Sequence, residues 1–296
     1  YKQDKDVLIN NLGPFGSPSY HPSTLIVSSK DLLVKQDLLT QKLYSLSGFK
    51  PYTNITYINA SRREQQFVIR HVQSLGESFQ FDFYFKKMSS PGAFLNQEAN
   101  NTLFKVNLKY ESKKKNYDVK FSTNIERSYY QENGGLFNVK NYESKLFDDD
   151  QNYLVNLNTS NSFNKKHTYS VDQRLNLFQI NKDSISKRYV YFKHRISYST
   201  TQKVFNDNEP MASIYNDIFL DTLATVDSIY TDNISNTGFF GFTNDNYVID
   251  LFGQYDLKRY EQSFGIKADY HNTYIGVLVK HTNKELLING IAKIAI

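Results

Sequence analysis

Residues 79–87 read FQFDFYFKK. Phe79, Phe81, Phe83 and Phe85 alternate with Gln80, Asp82, Tyr84 and Lys86. A period of two sends successive side chains to opposite faces of an extended strand. One face is a row of phenyl rings; the other carries an amide, a carboxylate, a phenol and an ammonium. The pattern recurs. Phe104, Val106, Leu108 and Tyr110 alternate with Lys105, Asn107 and Lys109. Tyr117, Val119, Phe121, Thr123 and Ile125 alternate with Asp118, Lys120, Ser122, Asn124 and Glu126. Tyr247, Ile249, Leu251 and Tyr255, then Ile266, Ala268 and Tyr270, are set against Asp250, Glu261, Lys267 and Asp269.

This pattern predicts crossing strands at 52–60, 65–74, 78–87, 102–111, 116–129, 167–178, 188–200, 236–243, 246–257, 260–271, 273–282 and 285–296. Many span about 10–12 residues. Globular strands average about five or six, whereas tilted membrane-crossing strands need about nine to eleven. The expected fold class is therefore all-β, an antiparallel transmembrane β-barrel of about twelve or more strands. Short links (74–78, 111–116, 182–187, 243–246 and 271–273) fall at one rim. Long ones (86–101, 130–166 and 201–236) fall at the other. Short periplasmic turns and longer outer loops are the usual arrangement. YLVNLN (153–158) looks strand-like, but the alternation of rims requires that it does not cross.

Residues 1–50 differ. LGPFGSPSYHPS predicts irregular structure. The leucines of 31–46 have both helical and irregular spacings, which leaves helix open. The expected division is 1–50 as a plug-like or rim segment and 51–296 as the barrel.

Composition narrows the classes. The chain has 296 residues, and its mean hydropathy is negative. No run approaches the ~18 apolar residues of a membrane helix. Barrel strands are half polar, so low hydropathy leaves barrels open. The 23 Tyr and 22 Phe supply every aromatic, and Tyr suits a membrane–water interface. Cys is absent, which excludes disulfides and thiol chemistry. A net charge of +5, scattered along the chain, does not mark a nucleic-acid surface. A chain that opens on Tyr1 without an apolar signal segment reads as processed or truncated.

The segment KPYTNITYINASRREQQFVIRHVQSL (50–75) resembles a motif of the Bacteroidota putative-porin family. FKKMSSPGAFLNQEANN, YYQENGGLFNVKNYES, VNLNTSNSFNKKHTYSVDQRLNLF and SIYNDIFLDTLATVDSIYTDNISNTGFF fit the same family in order. The resemblance runs from about residue 50 to 296. It implies a Gram-negative outer-membrane β-barrel, a channel without catalytic residues. Family members are longer, and this chain stops at LLINGIAKIAI without a terminal aromatic, so further strands are expected beyond it.

Candidate chemistry is sparse. The six histidines form no metal-binding spacing. Asp148, Asp149 and Asp150 lack the alternation of a Ca²⁺ loop. ENGGL (132–136) reads as a turn, and SKKK (112–115) as a basic turn that could meet anionic lipid. No G-x-S-x-G occurs. No enzyme activity, cofactor or metal is expected. The expected lumen-lining residues are Asp82, Lys86, Lys105, Lys109, Asp118, Lys120, Glu126, Asp250, Glu261, Lys267 and Asp269. The expected lipid-facing set is Phe79, Phe81, Phe83, Phe85, Phe104, Val106 and Leu108. Mixed charge in the lumen suits passive diffusion of small hydrophilic solutes, because it builds no single-sign filter. An accessory barrel in a secretion or barrel-assembly machine, with other outer-membrane or periplasmic proteins as partners, is the alternative. A soluble β-sandwich adhesin is a third reading, disfavoured by strand length.

Overall fold

The computed structural model describes residues 50–296 except 61–62, 180–188, 211–213, 215–223, 245–246, 264, 284–285 and 296. The expected irregular segment before residue 50, and the leucine run 31–46 within it, lie outside the described residues. So does the link expected at 182–187.

Among the described residues eleven strands form one sheet: β1 (Tyr52–Asn59), β2 (Gln65–Leu75), β3 (Phe79–Ser90), β4 (Ala99–Glu111), β5 (Tyr117–Gln131), β6 (Asn161–Gln179), β7 (Tyr189–Asp207), β8 (Thr225–Thr243), β9 (Tyr247–Gln262), β10 (Ile266–Asn283) and β11 (Leu286–Ala295). Each pairs antiparallel with its neighbours in sequence, in the order β1 to β11. Among the described residues no pairing joins β1 to β11. Among the described residues the one α-helix is α1 (Val139–Glu143), capped by the Asn138 side chain at the Asn141 amide.

Two sequence expectations are corrected. The expected strands 260–271 and 273–282, with a turn at 271–273, are replaced by the end of β9 and a continuous β10. HNT lies in mid-strand, with His271 opposite Leu257 and Thr273 opposite Tyr255. It lacks Gly and Pro, so nothing breaks the ladder there. The turn falls instead at 263–265, where Gly265 takes φ +80°, a conformation glycine adopts without a Cβ clash. Eleven strands therefore stand where twelve were expected. The expected loop 201–236 is also mostly strand. β7 runs on to Asp207 and β8 starts at Thr225, leaving 208–224 as the connection. The Asn, Lys and Asp in these strand ends have poor strand propensity. Pairing of 201–207 with 161–166 on one side and 225–231 on the other overrides it.

The connections alternate between two ends of the sheet. The longer ones, 91–98, 132–160 and 208–224, share an end with 60–64 and 263–265. The links 76–78, 112–116, 180–188, 244–246 and 284–285 leave the other end. As expected, 153–158 does not cross; Val155 makes one antiparallel bridge to Leu136 within the loop.

Burial divides the two faces in reverse of a soluble protein. Register sets Phe81, Leu108, Phe121, Val171, Ile196 and Leu251 on one face, the apolar one. It is the open one: Phe79 is 55% exposed, Phe240 56% and Leu251 54%. The other face is polar and crowded. Asp82, Asp250, Asp207, Ser162 and Thr237 are buried on it, as are the apolar side chains of Val72, Tyr191, Ile229 and Phe252. Tyr52 and Ile58 of the edge strand β1, and Ile266 and Tyr270 of β10, are exposed residues of this second face.

Candidate functional site

The polar face carries the chemistry. Alternation along each strand and pairing between strands arrange its side chains in rows. Lys109, Lys120, Asp172 and Arg195 stand opposite one another across β4 to β7. Beside them runs Glu111, Asp118, Arg174 and Lys193. The next row on the other side is small and hydroxylic: Asn107, Ser122, Ser170, Ser197 and Ser235, ending at Asp256. Beyond it come Lys105, Asn124, Thr168 and Ser199, then Leu103, Glu126, Lys166 and Thr201.

Several charges on this face are held in pairs. Arg70 Nη2 reaches Asp82 Oδ2 at 3.0 Å, beside the buried Val72. Arg195 pairs with Asp172, and Lys109 with Glu111 at 3.2 Å. Asp256 accepts from Gln254 Nε2 at 2.8 Å and from Ser235 Oγ at 2.5 Å. The densest cluster lies near the short-link end. Tyr191 Oη donates to Asp250 Oδ1 at 2.6 Å, and Lys193 Nζ reaches Asp250 Oδ2 at 3.3 Å. The Arg174 guanidinium lies 4.2 Å from the Tyr191 ring centroid, a cation–π contact. Gly241 makes room for this cluster. A Cβ there would stand 2.1 Å from Asp250 Oδ1 and 2.4 Å from the Tyr191 ring.

The long-loop end is built differently. The Asn96 amide donates to the carbonyls of Glu132, Leu157 and Ser160 at 2.9, 3.0 and 3.1 Å, tying 91–98 to 132–160. Tyr153, Val155 and Leu157 are buried within the loop, and Tyr153 stacks edge-on with Tyr142 and Phe147. Gly134, at φ +62°, packs so closely on Leu157 that a Cβ would lie 2.8 Å from its Cγ. Two carboxylates fasten the loop to the polar face. Thr159 Oγ1 donates to the buried Asp207 at 2.8 Å, and Ser162 Oγ donates to Glu132 Oε1 at 2.5 Å.

Burial lifts the Glu132 carboxyl above the ordinary carboxylate range, partly offset by the Ser162 hydrogen bond. A carboxyl raised in the folded state stabilises the fold below its unfolded pKa. That contribution fades as pH rises through the folded value. The loop is therefore expected to loosen as Glu132 ionises. Glu132→Gln keeps the acceptor for Ser162 and removes the charge. We expect slower proteolysis of 133–159 than in wild type at neutral pH, with the difference vanishing in acid. A larger difference in acid than at neutral pH contradicts this assignment.

Of the expected lumen residues, Asp82, Lys86, Lys105, Lys109, Asp118, Lys120, Glu126 and Asp250 share the polar face. Glu261, Lys267 and Asp269 do not. Lys267 pairs with Glu261 and Asp269 with Arg259, on the face of Leu251 and Val277. The expectation set these faces by the apolar alternation of Ile266, Ala268 and Tyr270, but those residues lie on the polar face, which puts Glu261, Lys267 and Asp269 on the other. Phe79, Phe81, Phe83, Phe85, Phe104, Val106 and Leu108 all lie on the apolar face. Sequence reasoning missed Arg70, Asp172, Tyr191, Lys193 and Arg195. Asp172 and Arg195 were legible by parity with the polar positions of β5. Tyr191 was not, because YVYF is apolar on both faces.

Asp149 accepts from the Gln151 amide in a 3-10 turn (Asp150–Asn152). Among the described residues no cluster of His, Asp or Glu could hold a metal ion. No curated protein matches the chain. A family model described as a putative porin matches residues 44–296, the whole of the strand-bearing region. Its span coincides with the sheet whose apolar side is open and whose polar side is crowded, and the chain belongs to this putative porin family.

Proposed function

We propose that the sheet is the wall of an outer-membrane β-barrel through which small hydrophilic solutes diffuse passively. One observation carries this reading: the exposed face is apolar and the buried face is charged. In water that arrangement squanders the hydrophobic effect. In a membrane it is the stable one, because a barrel turns apolar residues to lipid and polar residues to an aqueous lumen. Phe79, Phe81, Phe83, Phe85, Phe104, Val106 and Leu108 then meet lipid. Asp82, Lys86, Lys105, Lys109, Asp118, Lys120, Glu126 and Asp250 line water. The strand ends at the long-loop rim extend beyond the bilayer, since 19 residues exceed the ~9–11 that a crossing needs. The long loops face outward and the short links face the periplasm.

Both charge signs line the wall, and ion pairs such as Arg70–Asp82 and Lys193–Asp250 join some of them, which favours a broad hydrophilic path over a selective filter. A second reading, an accessory barrel within a larger outer-membrane complex, is favoured by one feature. Phe137, Leu146 and Leu154 on loop 132–160 are 67%, 58% and 68% exposed.

Replacing 137–154 by a two-residue link separates these readings, because Leu136 and Val155 are already bridged. Purified protein in planar bilayers is expected to give ohmic conductance steps, raised in the shortened variant. No conductance from either protein, with partners lost from native membranes on shortening, establishes the accessory role instead.

A further inference from the structure

We infer that the apolar face binds a phosphate-bearing membrane lipid near the long-loop rim, through Lys87, Arg127 and Lys165. The inference rests on the membrane-spanning reading above. Register places Lys87, Thr102, Arg127 and Lys165 in one row across β3 to β6. On the described apolar face of β2 to β7 these three are the only Lys or Arg side chains, and no Asp or Glu lies there. Every permanent charge on this face of six neighbouring strands is thus positive and falls in a single row.

The same face of β9 and β10 makes the contrast. Its charges also cluster toward that rim, but they neutralise each other: Lys267 with Glu261 at 2.9 Å, and Arg259 with Asp269 at 3.3 Å. Among the described residues no carboxylate reaches Lys87, Arg127 or Lys165. Facing a membrane, three uncompensated cations call for an external anion.

The row sits where an amphiphile changes character. On its short-link side come Phe85, Phe104 and Ile125, apolar and in register with one another. On its other side come Ser89, Asn100 and Tyr129. Between β4 and β5 a groove of about 280 Å³ opens on this face, lined by Phe104 and Ile125 and, at its polar end, by Thr102 and Arg127. An acyl chain lying along Phe104 and Ile125 would bring its headgroup to the guanidinium. A guanidinium can bind two phosphate oxygens at once, while Lys87 and Lys165 act as point charges from the flanking strands. A zwitterionic headgroup, with its own cation, is a poorer match to a row of like sign.

The test compares phosphatidylglycerol with phosphatidylcholine of the same acyl chains, added to the detergent-solubilised full chain and followed by native mass spectrometry. Wild type is expected to retain phosphatidylglycerol at least tenfold more than phosphatidylcholine. The triple variant Lys87→Gln, Arg127→Gln, Lys165→Gln is expected to lose that preference. Lys113→Gln, Lys114→Gln, Lys115→Gln removes equal charge from the opposite rim and is expected to keep it. Equal retention of both lipids by wild type, or loss of preference only in the 113–115 variant, overturns the inference. Displacement of the lipid by inorganic phosphate alone overturns the lipid as the ligand. Insertion into phosphatidylcholine vesicles is scored separately. Failure to insert defeats the membrane reading, whereas insertion without lipid preference defeats only this site.

Discussion

Phe83→Arg should destabilise the membrane-inserted protein by about 2–4 kcal/mol, the cost of a cation at the bilayer midplane of a barrel wall. Phe83 stands in the middle of the apolar face, between His71 and Val106, with its ring 5.6 Å from that of Phe104. The cost is specific to one face. Asn107→Arg, at a neighbouring height on the polar face, places a cation directly opposite Asp82. It should cost less than about 1 kcal/mol, as surface changes usually do. Guanidinium unfolding from lipid vesicles measures both. Equal destabilisation by the two variants would remove the distinction between the faces.

Gly241→Val should be nearly as damaging, for a steric and electrostatic reason. Its Cβ would enter the space of Asp250 Oδ1 and the Tyr191 ring. Tyr191 is 1% exposed and Asp250 4%, so neither has room to withdraw. Overpacking of this kind costs about 1–3 kcal/mol. Pushing Asp250 away from Tyr191 and Lys193 adds the cost of a buried charge left without its partners. Gly253→Val supplies the control. Its Cβ meets nothing within 4 Å, so it should be tolerated within about 1 kcal/mol. If Gly241→Val unfolds at the same denaturant concentration as Gly253→Val, the cluster does not hold the short-link end together.

The architecture was legible in the sequence because period-two alternation is a local signal. FQFDFYFKK or YDVKFSTNIE shows both faces without reference to any partner. Strand limits were less legible. Asn161–Lys166 and Thr201–Asp207 read as loop on propensity, and pairing with each other turns them into strand. Turn position was one error and facing another. HNT resembles a turn by composition, but the chain turns at Gly265, and Ile266, Ala268 and Tyr270, apolar by composition, lie on the polar face, which reverses the faces expected of Glu261, Lys267 and Asp269. The site itself was half legible. Alternation gives the side of the sheet on which a charge lies. It does not give the row it joins, which depends on register between strands up to several dozen residues apart. The Tyr191–Lys193–Asp250 cluster draws on β7 and β9, and the Lys87–Arg127–Lys165 row on β3, β5 and β6. Neither has a counterpart in any short motif.

The central claim is that the open apolar face meets lipid and the crowded polar face meets water. The chain contains no Cys, so a single introduced thiol is labelled cleanly. Nitroxides at Phe83→Cys and Asn107→Cys, one on each face of adjoining strands, report their surroundings directly in reconstituted vesicles. The account predicts strong relaxation by oxygen, which partitions into lipid, at position 83. At position 107 it predicts relaxation by a water-soluble nickel chelate and shielding from oxygen. Chelate access at 83 with oxygen access at 107, or no difference between the two, would contradict it.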